Sequence, residues 1–326
     1  MVKHGKNVLL VIGVVLMGLV LLTGTTSAEE VFEVGISQLV EHPALDGARE
    51  GFIKGLEESG FVEGENVKFK VENAQGDFAT AQSIAKKFKN DRVDLVLAIA
   101  TPSAQAAANV LTDIPLLITA VTDPVSAGLV DNMEKPGGNI TGTTDMNPIR
   151  DQFELIKDFL PDVKTVGVLY NSGEANSKVQ VDIAKEVAED MGIEIKESTA
   201  TNSSEVQLAA SAVVDKVDAI YLPTDNVMAS AISAILKVTN EKGIPVFGSE
   251  SGMVEAGAIA TKGINYFELG RKTGQMAAEV LNGKDPGEMT IEGSDNLDIT
   301  INKNACEKLG LKVPSELLDK ADKVIE

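Results

Sequence analysis

The hydrophobic positions fall into two kinds of run that alternate along almost the whole chain. Short, nearly continuous apolar runs at 32–37, 67–72, 95–100, 115–119, 139–143, 166–170, 193–198, 219–223, 245–248 and 258–261 predict strands. The run at 95–100 has no polar alternation, as a parallel strand buried on both faces should. Longer segments at 43–59, 78–89, 149–159, 176–191 and 227–241 predict helices between them. Such alternation predicts parallel, doubly wound α/β sheets, and 326 residues suit two of these domains better than one. Ligands of these sheets sit outside the carboxyl ends of the strands. The residues that follow each strand are therefore the ones to read for chemistry.

The pattern also repeats. EVGI at 33–36 matches TVGV at 165–168, an offset of 132 residues, and Glu58-Ser59-Gly60 matches Asp190-Met191-Gly192 at the same offset. Asp94 and Asp218 stand 124 apart, and Pro115 and Pro245 stand 130 apart. Their shared order reads as a duplicated βα unit with loops of different length. In the first copy the strand runs into Thr101-Pro102-Ser103, which supplies a cap hydroxyl, a proline suited to the first helical turn and a second hydroxyl. Such a helix start favours an anion. In the second copy Asp225 and Asn226 take the places of Thr101 and Pro102, which suits a cation.

Turn signals suggest where the chain passes between domains. EKPGG at 134–138 is a turn cluster, and Thr144 to Pro148 leads into a new helix. A second crossing is expected near Gly263, after which the amphipathic helix at 266–281 returns to the first domain, and a third after Thr290. The resulting division is a first domain of 29–147 plus 263–289 and a second of 148–262 plus 290–326. Residues 1–28 read as a secretory signal peptide: Lys3, His4 and Lys6 precede a 15-residue uncharged run, and Thr26 and Ala28 suit cleavage after Ala28. That run is short of the ~20 residues a membrane span needs. The expected location is extracytoplasmic, in a periplasm or at the outer face of the cell membrane. The only cysteine is Cys306, so this sequence offers no disulfide of its own and no cysteine after the signal for a lipid.

Charge and motif content remove several function classes. Lys and Arg total 29 against 49 Asp and Glu, a formal charge of -20; without residues 1–28 the basic count is 27 and the charge -22. Such a chain will not bind nucleic acid through counterion release. A ligand-sensing regulator would need a DNA-binding segment where the signal peptide stands. Residues 248–252 read GSESG, with Glu250 where a nucleophile elbow needs serine, and there is no Walker loop and no G-x-G-x-x-G. The two histidines, His4 and His42, do not form a metal-ligand pair. No cofactor or metal is expected, and carboxylate acid-base chemistry is the surviving enzyme reading.

QLVEHPALDGAREGF, TPSAQAA, DIPLLITAVTDPVSAGLV, GNITGTTD, VGVLYNSGEANS, YLPTDN and GINYFELGRKTGQMA, in that order, resemble the substrate-binding proteins of ABC importers, in the family related to uptake of tryptophan and other aromatic amino acids. The similarity spans residues 31–312. It implies the type I periplasmic-binding fold, two α/β domains joined by three crossovers, with no enzymatic activity. It also implies a monomer that closes on a small ligand and passes it to an ABC permease and its ATPase. The ligand class is an amino acid, with tryptophan, phenylalanine and tyrosine as candidates; a surface sensor feeding a signalling partner would share the same architecture.

Topology places the candidate site at the strand ends. Ser37 and Gln38 end the first strand, Thr101 and Ser103 follow the third, and Thr119 and Thr122 the fourth; Asn171, Glu174, Asn176, Asp225, Asn226 and Glu250 follow strands of the second domain. The resemblance implies Thr101, Ser103 and Thr122 for a carboxylate and Asp225 or Glu250 for an ammonium. Thr101, Ser103 and Asp225 also read as helix caps, Asp123-Pro124 and Asn171-Ser172-Gly173 as turns, and His42 before Pro43 as a helix-start residue. For an aromatic ligand Tyr170, Tyr221 and Tyr266 would be the natural platforms.

Overall fold

Residues 95–99 form the middle strand of a five-stranded parallel sheet, and all five are buried. The structure, a computed structural model, describes residues 31–294 and 297–326. The expected signal peptide and its cleavage point lie outside the described residues.

In chain order the first half contains β1 (Phe32–Gln38), α1 (Pro43–Glu58), β2 (Val67–Asn73), α2 (Phe78–Asp91), β3 (Leu95–Ile99), α3 (Thr101–Ala108), β4 (Leu116–Val121) and β5 (Ile140–Thr144). Then follow α4 (Ile149–Phe159), β6 (Thr165–Tyr170), α5 (Ala175–Met191), β7 (Glu194–Thr199), α6 (Val206–Val213), β8 (Ala219–Leu222), α7 (Asn226–Ser230), α8 (Ile232–Lys242), β9 (Val246–Gly248) and α9 (Ser251–Ala256). The chain ends with β10 (Ala260–Ile264), α10 (Tyr266–Leu281), β11 (Leu297–Asn302), α11 (Lys303–Lys308), α12 (Ser315–Lys320) and β12 (Lys323–Ile325).

The first sheet has the order β2-β1-β3-β4-β5 and the second β7-β6-β8-β9, both parallel. The first four strands of each sheet thus follow one doubly wound order, and the repeat is visible atom by atom. Asp94 accepts from the backbone N–H of Glu33 at 2.7 Å, and Asp218 accepts from that of Thr165 at 2.8 Å. Each aspartate at the foot of one strand ties down the strand beside it, and the partners keep the offsets of 124 and 132 found in the sequence.

Buried apolar side chains form one continuous core on the first sheet, which includes Ile264 to Ile291, and separate clusters on the second. Two departures from the sequence reading stand out. A third, mixed sheet, β10-β11-β12, packs beside the second; β11 runs antiparallel to β10 and parallel to β12. β10 overlaps the expected strand at 258–261, whereas β11 is half-buried and β12 only three residues long, a pattern too weak to read as strands after 290. The helix expected at 227–241 is two helices, because Ala231, at φ -111° and ψ 18°, ends α7 and starts α8.

Helix α10 lies backbone to backbone on α1, and glycine makes this possible. A Cβ on Gly51 would stand 1.9 Å from the carbonyl oxygen of Phe267, and one on Gly274 would stand 2.1 Å from that of Phe52. Gly55 and Gly270 meet the partner helix at 2.0 Å in the same way. Each helix carries its glycines four residues apart, on one face. The segment that re-enters the first lobe is thereby held without an intervening layer of side chains.

Candidate functional site

The carboxyl ends of both parallel sheets open onto one cleft, which has an inner and an outer chamber. The inner one is nearly closed, with about 20 Å³ of free volume, room for about one water molecule. It is bounded on the first lobe by His42, Leu45, Ala120, Thr122 and Asp145, on the second by Asn176, Thr224, Asp225, Asn226, Glu250 and Met253, and by Tyr266 at the start of α10. The outer chamber, about 470 Å³ and open to solvent, runs between Leu39, Val40, Phe78 and Pro102 on one side and Asn171, Glu174, Thr201 and Val227 on the other. Asn226 faces both. A separate groove of about 430 Å³ beside α8 and α11 shares no residue with the cleft.

Backbone strain marks the strand ends that face this space. Ala100 after β3 and Ala120 in β4 have φ of 81° and 55°, a region that costs residues with a Cβ about 1 kcal/mol or more. At Ala120 the pairing of β4 with β5 shifts register between Ile118 and Val121. The bulge turns β4 toward the cleft, and Ala120 lines the inner chamber.

Four buried carboxyl groups surround the cleft. Asp145 accepts from Thr122 Oγ1 at 2.8 Å and from the Tyr266 hydroxyl at 2.5 Å. Asp225 caps α7, accepting from Met228 N at 2.8 Å, and also takes Asn171 N and Ser177 Oγ, each at 2.6 Å. Glu250 caps α9 through the N–H groups of Gly252 and Met253 at 2.5 and 2.9 Å. Glu174 accepts from three amides, those of Asn171 at 3.2 Å, Asn176 at 3.0 Å and Asn226 at 2.6 Å. Loss of solvation raises all four pKa values: Glu250 is pushed up to about 7, Glu174 also to about 7 with Asp225 adding repulsion, and Asp145 and Asp225 move in the same direction.

No lysine or arginine is among the described residues lining either chamber. The carboxyl groups are held by amides and hydroxyls alone, so the site has unmet demand for positive charge. It also holds a polar atom without a protein partner, Asn176 Oδ1. Burial drives the His42 pKa down to about 4, with the nearby Asn226 amide and Asp46 only partly opposing it. His42 is therefore a neutral imidazole at neutral pH. No group of residues able to hold a metal ion occurs among the described residues.

The structure gathers part of the expected set and sends the rest elsewhere. Thr122, Asn176, Asp225, Asn226 and Glu250 line the inner chamber, and Asn171, Glu174 and Asn226 the outer. Ser37, Gln38, Ser103 and Thr119 line neither, because β1 and β4 run further than the apolar pattern indicated. Ser103 Oγ is 2.9 Å from both Ser37 Oγ and Ser37 O. Gln38 donates to Val40 O and Asp46 and accepts from Arg49. Thr119 Oγ1 is 3.0 Å from Thr143 Oγ1, which continues to Thr273 at 2.8 Å. All four join elements of the first lobe. Thr101 is buried behind Pro102, which does reach the outer chamber.

Of the tyrosines only Tyr266 reaches the cleft. Tyr221 is fully buried against Phe153 at a centroid distance of 5.5 Å, and Tyr170 turns its hydroxyl to Glu197 at 2.7 Å. Asp145 and His42 were missed as site residues, although both follow strands of the first sheet and obey the same strand-end rule. In the sequence Asp145 reads only as part of a crossing, and His42 only as the residue before a helix.

Fold and cleft define a periplasmic-binding architecture of type I, two doubly wound lobes with a ligand space between them. The chain belongs to the ABC transporter substrate binding protein family, which it matches over residues 33–325; members are solute receptors rather than enzymes. It is 45% identical over 326 residues to a tyrosine-binding protein of Clostridioides difficile (strain R20291), an alignment covering 96% of this chain and 94% of that one. Among solved structures, the ABC domain from Streptococcus pneumonia in complex with L-Trp is 36% identical, covering 91% of this chain and all of that one, with a TM-score of 0.88. A ligand-free, open substrate-binding protein with adhesive properties from Clostridium difficile is 50% identical, covering 90% and 99%, with a TM-score of 0.70. No helix among the described residues is long and apolar enough to cross a membrane.

Proposed function

We propose that this protein is the extracytoplasmic receptor of an ABC importer for an amino acid with an aromatic side chain, tyrosine or tryptophan. The observation that carries the proposal is the set of buried acceptors with no basic residue among them. An ammonium group has three N–H donors and no acceptor, and Asn176 Oδ1 and Glu174 offer it partners at the junction of the two chambers. The carboxylate goes toward the start of α3, where the Thr101 hydroxyl lacks a partner. Ser103 and Thr122 have committed their hydroxyls to Ser37 O and Asp145, and Glu250 is occupied as a cap. The ligands printed for the related proteins support an aromatic side chain.

Closure by a hinge is the second part of the proposal. The open, ligand-free relative is nearer in sequence yet overlays less well than the relative with L-Trp. A closer sequence with a poorer overlay supports a difference in lobe disposition, this chain being in the closed one. The moving bodies are then 29–147 with 263–289 and 148–262 with 290–326. Export through residues 1–28 and delivery, as a monomer, to a permease and its ATPase complete the reading. Thermal shifts with L-tyrosine, L-tryptophan and their deaminated analogues test it. Ligand at 100 times its dissociation constant adds about 2.7 kcal/mol. The amino acids should raise the melting temperature and the deaminated analogues should not; equal shifts from both would overturn the ammonium assignment.

A further inference from the structure

We infer that Phe78 is a specificity-determining residue, whose ring covers the aromatic side chain of the bound amino acid at the wall of the outer chamber. The inference rests on the reading of the cleft as an amino-acid receptor. The inner chamber has room for about one water, so the ligand's side chain belongs in the outer one, whose volume of about 470 Å³ is that of a small-molecule site. Glu174, a partner for the ammonium, lines this chamber, and Leu39, Val40, Phe78 and Pro102 make its wall on the first lobe apolar. Phe78 is the one aromatic residue among the described residues that line it.

The place of Phe78 in α2 leaves its ring free for a ligand. Asp77 caps this helix, accepting from Thr80 N at 2.6 Å and from Thr80 Oγ1 at 2.7 Å, which fixes the first turn. Ala81, Ala85 and Phe88 follow Phe78 at helical spacing and are buried, so all four lie on one face of α2. Phe78 is nevertheless 42% exposed and stands outside the core of the first sheet. Its ring is therefore held at the chamber wall by a helix whose packing is completed without it. A lone exposed apolar side chain is ordinary, but this one shares a concave wall with Leu39 and Val40, and Val227 lines the chamber from the second lobe. A planar side chain seated there is covered from both lobes. An aromatic ring buries more apolar area in that seat than an aliphatic side chain and gains edge or offset contact with Phe78.

Calorimetric titration of wild type and Phe78→Ala with L-tryptophan, and displacement of L-tryptophan by L-leucine, is the first test. The ratio of the two affinities should fall about 10-fold in the variant, mainly through weaker tryptophan binding, with the ligand-free melting temperature unchanged because Phe78 stands outside the core. A ratio that stays within about 2-fold of wild type overturns the inference, whether both affinities hold or both fall, since Phe78 would then not be reading the ring. The second test needs no aliphatic ligand. The chain contains no tryptophan, so Phe78→Trp places a single indole at the chamber wall, and its fluorescence can be excited beyond the absorption of tyrosine. Saturating L-tyrosine should shield that indole from quenching by acrylamide at least about 2-fold; quenching that does not change at saturation overturns the inference. If neither L-tryptophan nor L-tyrosine binds wild type, the receptor reading itself fails, a result separate from these.

Discussion

A Cβ placed on Gly252 would stand 2.9 Å from the Cβ of Pro43, the first residue of α1 in the opposite lobe. The two helices α1 and α9 meet here across the inner chamber, and the contact leaves no room for a methyl group. Gly252→Ala should therefore separate closure from stability. The added methyl would also stand 2.9 Å from Glu250 Oε2, the flexible end of the side chain that caps α9, so the ligand-free melting temperature should change little, while ligand affinity should fall about 10-fold because the closed form is obstructed. Calorimetry together with the radius of gyration from scattering, with and without ligand, checks this.

Glu174 and Asp225 should separate as a ligand contact and a structural anchor. Asp225 holds three donors, including the backbone of Asn171 and the first turn of α7. Asp225→Asn should thus lower the melting temperature of the ligand-free protein. Glu174 is held only by side-chain amides and is repelled by Asp225. Glu174→Gln should leave ligand-free stability at pH 7.5 unchanged or higher, and should weaken amino-acid binding by about 2 to 5 kcal/mol. Thermal melts and titration of both variants distinguish the two roles.

Stability of the ligand-free protein should fall as pH rises toward neutrality. Glu174 and Glu250 have folded pKa values of about 7 against an ordinary 4.5, so between those values the folded form holds protons that the unfolded chain has lost. Each can remove on the order of 3 kcal/mol across that window. His42, with its pKa moved from 6.5 to about 4, acts in the opposite sense between those values. Two groups outweigh one, and above pH 6.5 nothing from His42 opposes the fall. Chemical denaturation at pH 5.5, 6.5 and 7.5 should show decreasing stability, and Glu250→Gln should flatten the slope.

The contact between α1 and α10 should be intolerant of any side chain. Gly274→Ala gains about 1 kcal/mol of helix propensity, yet its methyl group would fall 2.1 Å from Phe52 O and 2.9 Å from Leu56 N, both backbone atoms. Separating two helices in this way typically costs about 1 to 3 kcal/mol or more. Urea unfolding should show a net loss, with Gly47→Ala as the control, since its Cβ would have ordinary contact at 3.7 Å.

The fold was legible because its signal is repetitive. Each apolar run with its following helix restates the same unit, and the Asp94 and Asp218 offsets alone placed two strand starts correctly. The site was legible only as a set of strand ends. Which side chain at a strand end faces the cleft depends on where the strand stops, and one or two residues decide it: Ser37 and Thr119 lie inside β1 and β4, whereas Thr122 lies just beyond β4. Tyr221 illustrates the same limit, since its place within β8 points it into a core that no sequence motif marks. Asp145 carries no motif either, and its importance comes from partners remote in the chain, Thr122 and Tyr266.

The absence of lysine and arginine from the described lining of the cleft bears on the economy of transport. If the lobes close by the proposed hinge and these carboxyl groups meet water in the open form, shutting the protein without a cation inside is uphill by the same desolvation that raises their pKa values. A bound ammonium reverses that balance. If the permease accepts only the closed form, an unloaded receptor is kept from triggering futile cycles of ATP hydrolysis, and the discrimination is built into the binding site itself. Acidification would weaken it, because protonated carboxyl groups allow an empty protein to shut.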